Sequence, residues 1–418
     1  MILWYTMRED GSIMSKRYRV LIRQPVVGEC IVYQSSFTYH DFFGGNTLLV
    51  IVPHQDDEMN MAGAAIYGAL HEGMTVYCAY FTDGDYEYPA WLRRREAERM
   101  AVRIGLPKEN LCYLGFPDRG HELGIYKITE AIEAMETLLL KIQPDAVIAT
   151  DCDTHPDHKI CSEAFDQAIQ NLSSRGALLP TMRVFKGFAY ATGYETVDDF
   201  NALNLRSTKI NRQLLPEGCT TENPDLAWVD RIRIPVPEDC RSLDLIHNPV
   251  FSGMAAHESQ RAYKRGRRLI NGDNVLWQVP LRQYKETYES NTYKYCHILA
   301  GNEFMYDWIL YPGETVPVIS AYVSDAGIDA KALRWKINDR VIASEKIQSE
   351  ITGQLTKEAI RIRLEIVGTD VFCEVTLRKG TYKDLFYRWY VRLRNWWNYQ
   401  RVRQDYKRAW RTVQAYRK

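Results

Sequence analysis

The chain has 418 residues, of which 46% are hydrophobic and 25% charged, an ordinary balance for a globular protein of two or three domains. Lys+Arg and Asp+Glu are both 53, so overall charge says nothing about partners. Nine cysteines, an odd number without a CxxC pair, argue against both a disulfide framework and a thiolate zinc site. No stretch approaches the roughly 18 apolar residues of a membrane span, and MILWYTMREDGSIMSKRYRV lacks the apolar stretch of a signal peptide. The expectation is a cytoplasmic protein, peripheral at the membrane at most.

Residues 1–45 read as a β-rich segment, with RYRVLIRQ and CIVYQSSF as short strands. From Asn46 the pattern is regular. NTLLVIV is a short apolar run suited to a buried strand, and MAGAAIYGAL after it suits a helix. TVYCAYFT (75–82) is a second strand and ends at the turn Asp83-Gly84-Asp85. RRREAERMAVRIG is an amphipathic helix closed by Gly105. NLCYLGF is a third strand, ITEAIEAMETLLLKI a helix stopped by Gln143-Pro144, and DAVIAT (145–150) a fourth strand. Strands alternating with helices predict a Rossmann-like parallel sheet covered on both faces. Residues 160–300 continue with mixed elements, including AYATGYETV as a pocket-lining candidate and MAAHESQRAYKRGRRLI as a helix. After Gly301 the runs TVPVISAYV, AKALRWKIN, RVIASEKI, AIRIRLEI and VFCEVTLR alternate between turns. They predict a small immunoglobulin-like β-sandwich over 301–380, with Trp335 in its core. Residues 381–418 lack Gly and Pro and read as a helical tail.

Two segments carry chemistry. Pro53-His54-Gln55-Asp56-Asp57-Glu58 follows the first strand and opens a helix, and Asp151-Cys152-Asp153-Thr154-His155-Pro156-Asp157-His158 follows the fourth. Both therefore belong to the carboxyl edge of one parallel sheet, where ligand sites form. A His and an Asp three residues apart can converge on one metal, and a second carboxylate between them can face its water. A His, Asp, His set leaves a coordination position open, as in a catalytic zinc site. Iron(II) or cobalt would also suit these donors. Alone, either segment reads equally well as a solvated histidine or as acids complementing a helix dipole; their pairing on one sheet edge is what points to catalysis.

PHQDDE followed by HPDH resembles the PIG-L/LmbE family of zinc deacetylases over residues 46–160, and more loosely over 160–300, so that 46–300 is read as one deacetylase domain. The resemblance implies that His54, Asp57 and His158 hold Zn2+, and that Asp56 is the general base. It implies that His155 stabilises the oxyanion and that Asp157 orients His155. Glu58 reads as a supporting carboxylate. Gln55 stands where the family often has Pro, which bears on loop geometry and substrate contact. Arg94 and Asp118 are the substrate-binding candidates; His257 reads as structural, and Asp83 and Asp85 as turn formers. The implied reaction is removal of an N-acetyl group from an amino sugar, free or in a glycoconjugate or glycolipid. The alternatives are an amidase on another small amide, or a sugar-binding scaffold that kept its metal site.

The tail is separate in character. Residues 382–418 hold eleven Lys/Arg against two Asp, a net +9 that leaves −9 on the rest of the chain. Phe386, Tyr390, Leu393 and Trp397 recur at helical spacing, with Trp389, Trp396 and Trp410 beside them. This composition suits either an anionic membrane surface or docking on the acidic remainder of the chain; nucleic acid is not expected.

Overall fold

The computed structural model describes residues 36–151, 155–187, 231–241, 247–263, 274–279, 294–301, 303–324 and 328–418. The segment RYRVLIRQ, nearly all of CIVYQSSF, and AYATGYETV lie outside those residues.

In chain order the first layer contains α1 (Tyr39–Phe43), β1 (Thr47–Val52), α2 (Asp57–His71), β2 (Thr75–Thr82), α3 (Ala90–Ile104) and β3 (Leu111–Phe116). It continues with α4 (Ile128–Ile142), β4 (Ala146–Thr150), α5 (Pro156–Ser174) and β5 (Arg183–Gly187). Then come β6 (Arg231–Ile234), α6 (Glu238–Arg241), α7 (Pro249–Met254) and β7 (Asn274–Val279). The sheet runs β3-β2-β1-β4-β5-β7-β6. The first five strands are parallel, as the alternation predicts. The last two are antiparallel additions, a departure from a wholly parallel sheet.

The β1 run explains its own burial. Leu48, Val50 and Val52 point into one core, shared with Ala65 and Met100. Leu49 and Ile51 point into the other, shared with Met135, Leu139 and Phe165. A strand with helices on both faces must be apolar at every position, which is why TLLVIV lacks polar alternation. Helix ends follow the expected chemistry. Gly105 closes α3 in a left-handed conformation, its N–H donating to the carbonyl of Ala101. Gln143 closes α4 in the same way before Pro144.

Beyond the sheet, the predicted long helix MAAHESQRAYKRGRRLI is corrected within its described part. The helix α7 stops at Met254, and turns follow through Ala262. Arg261 adopts a φ of 50°, and His257 and Ser259 are held by bonds to Glu58 and Glu96 rather than by a helical ladder.

The C-terminal strands form two packed sheets. One has five strands, taking in β10 (Trp308–Leu310), β12 (Leu333–Ile337), β13 (Arg340–Ile342), β14 (Ile360–Ile366) and β15 (Phe372–Lys379). The other holds β8 (Cys296–Ala300), β9 (Glu303–Phe304) and β11 (Ile319–Val323). Their inner faces share one core around Trp335, Ile362, Leu364 and Ile298. β14 alternates buried and half-buried residues along its length, as a strand with one inner face must. The β10–β15 pair is parallel and a helix, α8 (Ile347–Gln354), intervenes before β14; an all-antiparallel sandwich has neither feature.

The terminal helix α9 (Tyr382–Gln414) starts with a capping box, Thr381 bonding to the N–H of Asp384 while the Asp384 carboxylate accepts from the N–H of Thr381. Arg378 pairs with the same carboxylate at 3.0 Å. That hydrogen bond, outweighing the effect of burial, lowers the Asp384 pKa to about 2.

Asp384→Asn should therefore cost about 1 kcal/mol or more, the usual scale of a lost cap. Because the folded-state pKa is depressed, the wild type's advantage is fully present above the unfolded value near 4 and disappears as pH falls through about 2. Denaturant melts of both proteins across that window, followed by tryptophan fluorescence, measure it; an advantage unchanged at pH 2 contradicts the assignment.

Candidate functional site

In the sheet order, β2 and β3 lie on one side of β1, while β4 and β5 lie on the other. The crevice beyond β1 and β4 is the point where the winding reverses, the place where ligands bind in open α/β sheets. His54 follows β1, and His155 and His158 follow β4, so the fold brings the two motifs to that crevice.

The Asp57 carboxylate lies at its centre. Its Oδ2 is 3.2 Å from His54 Nδ1 and 3.4 Å from His158 Nε2. Zinc bonds of about 2.1 Å in tetrahedral geometry put ligand atoms roughly 3.4 Å apart. The spacing and the two-nitrogen, one-oxygen donor set thus fit a divalent transition metal. Two further groups have their donor atoms within 4.8 Å of one another: His54, His155 and His158, and His54, Asp118 and Asp157.

Burial on its own would lower the His54 pKa; hydrogen bonds to Asp157 and Asp57 and the charge of Asp118 reverse this and raise it well above the ordinary imidazole value. Burial would raise the Asp57 pKa; the charges of His158 and His54 instead hold it well below the usual carboxylate range. His155 moves the other way. Burial, reinforced by the His54 and His158 charges, brings it down to about 4.

Asp157 Oδ2 lies 3.1 Å from His54 Nε2 and 3.8 Å from His155 Nδ1. Its nearer partner is His54, and it also contacts His155, the residue it was expected to orient. A carboxylate on one imidazole nitrogen leaves the other nitrogen aimed at the cluster, the arrangement commonly found behind metal-bound histidines. Asp157 Oδ1 accepts from the backbone N–H of Arg119 at 2.8 Å. His155 caps α5, its Nδ1 accepting from the N–H of Asp157.

Asp56 is buried at the start of α2 with a φ of 124°, far from the conformations ordinary side chains prefer. Its N–H donates to Glu58 at 2.8 Å, and its Oδ1 lies 3.3 Å from Arg93. Arg93 also donates to the carbonyl of Gln55. Glu58 and His257 are both fully buried and meet at 3.0 Å. Glu96 accepts from the N–H and hydroxyl of Ser259. Two acids on α2 and α3 thus tie the 257–259 turn to the back of the site.

The two substrate candidates separate. Asp118 joins the cluster: its Oδ1 is 3.8 Å from His54 Nε2, and its carboxylate accepts from the N–H groups of Gly84 and Tyr86. Arg94 is exposed, paired with Asp83 at 2.7 Å and stacked over Tyr113. The guanidinium at the site is its neighbour, Arg93. Helical phase could have found it: Arg93 stands four residues before Ala97 and seven before Met100, on the buried face of α3. Gln55 is buried, its amide donating to the carbonyl of Thr82, so it shapes the loop rather than facing outward. Asp85 accepts from the N–H of Asp118, a tighter role than turn formation alone.

Residues 49–169, which include both motifs, match the family model described as PIG-L: GlcNAc-PI de-N-acetylase. No curated protein matches the sequence. Among solved structures, the chain is similar to a conserved protein from Thermus thermophilus, at 25% identity over 34% of this chain and 64% of that one, with a TM-score of 0.29. It is also similar to the N,N'-diacetylchitobiose deacetylase from Pyrococcus horikoshii, at 23% identity over 44% and 76%, TM-score 0.30. A third is the 4-carboxy-2-hydroxymuconate hydratase from Pseudomonas putida, at 12% identity over 56% and 96%, TM-score 0.38. The chain thus spans under two thirds of the Thermus protein, and likenesses at these scores carry no argument about substrate.

Gly84 supplies a test of how tightly this loop is built. Its φ is 67°, and a Cβ there would meet Gln55 Oε1 at 2.3 Å, whereas one on Gly105, also at positive φ, would meet nothing within 4 Å. Gly105→Ala should cost about 1–2 kcal/mol from backbone strain alone. Gly84→Ala should cost distinctly more, in parallel thermal melts; equal costs would mean the Gln55–Gly84 contact is not a constraint.

Proposed function

We propose, from the match of residues 49–169 to the PIG-L family and from the donor geometry, that this chain is a metal-dependent hydrolase removing the acetyl group from an N-acetylated amino sugar. The observation that carries the reading is the Asp57 carboxylate at 3.2 and 3.4 Å from two imidazole nitrogens, beside a second, separately anchored carboxylate on Asp56. His54 Nδ1, Asp57 and His158 Nε2 would hold the metal, zinc being the best match to the donors. Bound there, a zinc ion would acidify water and polarise the amide carbonyl.

The chain's own groups account for the rest. Asp157 holds the Nε2 of His54, which leaves its Nδ1 directed toward Asp57 and the metal position. Asp56, held by Arg93, is the base that takes the proton of the attacking water and returns it to the departing amine. His155 is the donor for the oxyanion: its Nδ1 accepts the Asp157 N–H as a helix cap, which puts the ring proton on Nε2. Asp118, satisfied by two backbone N–H groups, keeps the 84–86 loop against the site and is the candidate for contacting sugar hydroxyls. Hydrolysis gives acetate and a free amine.

Acetate release from a panel of N-acetylated amino sugars and other small amides, with zinc content measured in parallel, tests the reading. Asp56→Asn should lower kcat by about a hundredfold or more while leaving bound zinc unchanged. His158→Ala should lose the zinc itself. Zinc-loaded wild type that releases no acetate from any of the panel overturns the hydrolase, and release only from non-sugar amides overturns the sugar.

The role of Arg93 can be measured separately. Arg93→Lys keeps the charge but loses the planar group whose Nη2 reaches both Asp56 and the Gln55 carbonyl. It should lower kcat by about tenfold or more with little change in KM, since the base is displaced rather than the binding surface. A loss confined to KM would place Arg93 in substrate binding instead.

A further inference from the structure

The terminal helix α9 docks along one side and leaves the opposite side bare. On the docked side Asp384 pairs with Arg378, and Arg388 reaches Glu314 at 2.5 Å and lies over Tyr311. Further along, Tyr406 stacks 4.1 Å from Tyr263 and donates to the carbonyl of Glu258, while Val413 packs beside Tyr88 and Leu92. Trp410 takes Arg261 over its ring. Self-docking, one of the two uses expected of this tail, is thus observed for these residues.

The other side has a composition of its own. Phe386, Trp389, Leu393, Trp396 and Trp397 are 62%, 57%, 48%, 56% and 61% exposed. At roughly 100° per residue they fall within about one third of the helix circumference. The same third continues through Arg403, Lys407 and Arg411, all exposed. One helix face therefore carries a patch of bare aromatics and then a patch of bare cations. Isolated exposed apolar residues need no explanation; five large ones on one face of one helix do. Tyr390, which shares their spacing in the sequence, is half-buried and does not belong to the patch.

We propose that this face of α9 binds the surface of an anionic lipid bilayer. Tryptophan and phenylalanine bury their rings at the headgroup boundary, and lysine and arginine pair with anionic headgroups. No described helix is long and apolar enough to cross a membrane, so the contact is a helix lying on the surface. The charge distribution favours this occupant. The tail carries +9 and the rest of the chain −9, so an anionic surface attracts this face and repels the remainder, which orients the molecule. A second copy pairing α9 with α9 would bring two cationic faces together. The inference rests on the helix alone and is independent of the hydrolase reading.

The test is sedimentation of the full chain with vesicles of phosphatidylcholine alone and of phosphatidylcholine with phosphatidylserine at about three to one. The wild type should pellet with the anionic vesicles, more weakly as salt rises, and little with the neutral ones. Trp389→Ala/Trp396→Ala/Trp397→Ala and Arg403→Glu/Lys407→Glu/Arg411→Glu change only exposed side chains. Each should weaken partition about tenfold or more, with unchanged circular dichroism and thermal midpoint. Three results overturn the proposal: no pelleting of folded wild type, variants that pellet like wild type, or a dimer in sedimentation velocity that the tryptophan variant makes monomeric. Binding of single-stranded RNA lost in both variants, without lipid pelleting, overturns it as well.

Discussion

The reversal of winding between β1 and β4 is the constraint on which the rest depends. A chain that adds β2 and β3 on one side of β1 must return to place β4 on the other, and the connections part there. No helix can cover the gap they leave. His54 comes from the loop after β1, while His155 and His158 come from the segment after β4, and the loops after β2 and β3 bring Gly84 and Asp118 to the same place. Residues about a hundred apart in the chain thus meet because each stands two to eight residues past the end of a strand. The apolar β1 run, packed into two cores, holds those strand ends in place.

That crevice gathers more negative charge than its own side chains balance at close range. Asp57, Asp118 and Asp157 all lie within 3.8 Å of His54. Burying carboxylates is expensive unless each is hydrogen-bonded or paired. Part of the cost is met by the backbone: Gly84 and Tyr86 donate to Asp118, Arg119 to Asp157, and His54 to Asp57. Asp56 and Glu58 are satisfied separately, by Arg93 and His257. What remains is a group of acids around one imidazole, whose proton is held in consequence. A divalent cation would relieve the same field more completely than one proton does, which is the physical sense in which the donors favour a metal.

Much of this was legible in the sequence, for identifiable reasons. The ends of β1, β2 and β4 and of α4 were readable because buried runs and helix stops are local signals: TLLVIV before Pro53, Gly105 after α3, Gln143-Pro144 after α4. The convergence of the two motifs followed from strand-end positions, while the choice of His54, Asp57 and His158 within them came from the family resemblance. What was not readable depends on contacts between distant elements. Whether Arg93 or Arg94 faces Asp56 depends on the rotational phase of α3, which four consecutive polar residues blur. Whether Asp157 serves His54 or His155 depends on a difference of less than 1 Å. The antiparallel strands β6 and β7 lie among long polar connections, where neither period nor spacing marks a strand.

The terminal helix shows the same division between local and distant information. Its 33 residues and its capping box are local, and both could be read from the chain. Its two sides are not distinguished by composition, since aromatic and basic residues occur on each. Packing makes the distinction. Tyr406 and Val413 are buried because the chain places Tyr263 and Leu92 opposite them, whereas Trp389 and Trp397 stand out because nothing in the described chain faces them. The docked side also reaches the site's surroundings: Lys418, just past the helix, donates to the carbonyl of Asp85, and Asp85 accepts from the N–H of Asp118. The end of the helix is therefore hydrogen-bonded, through Asp85, to the loop beside the crevice.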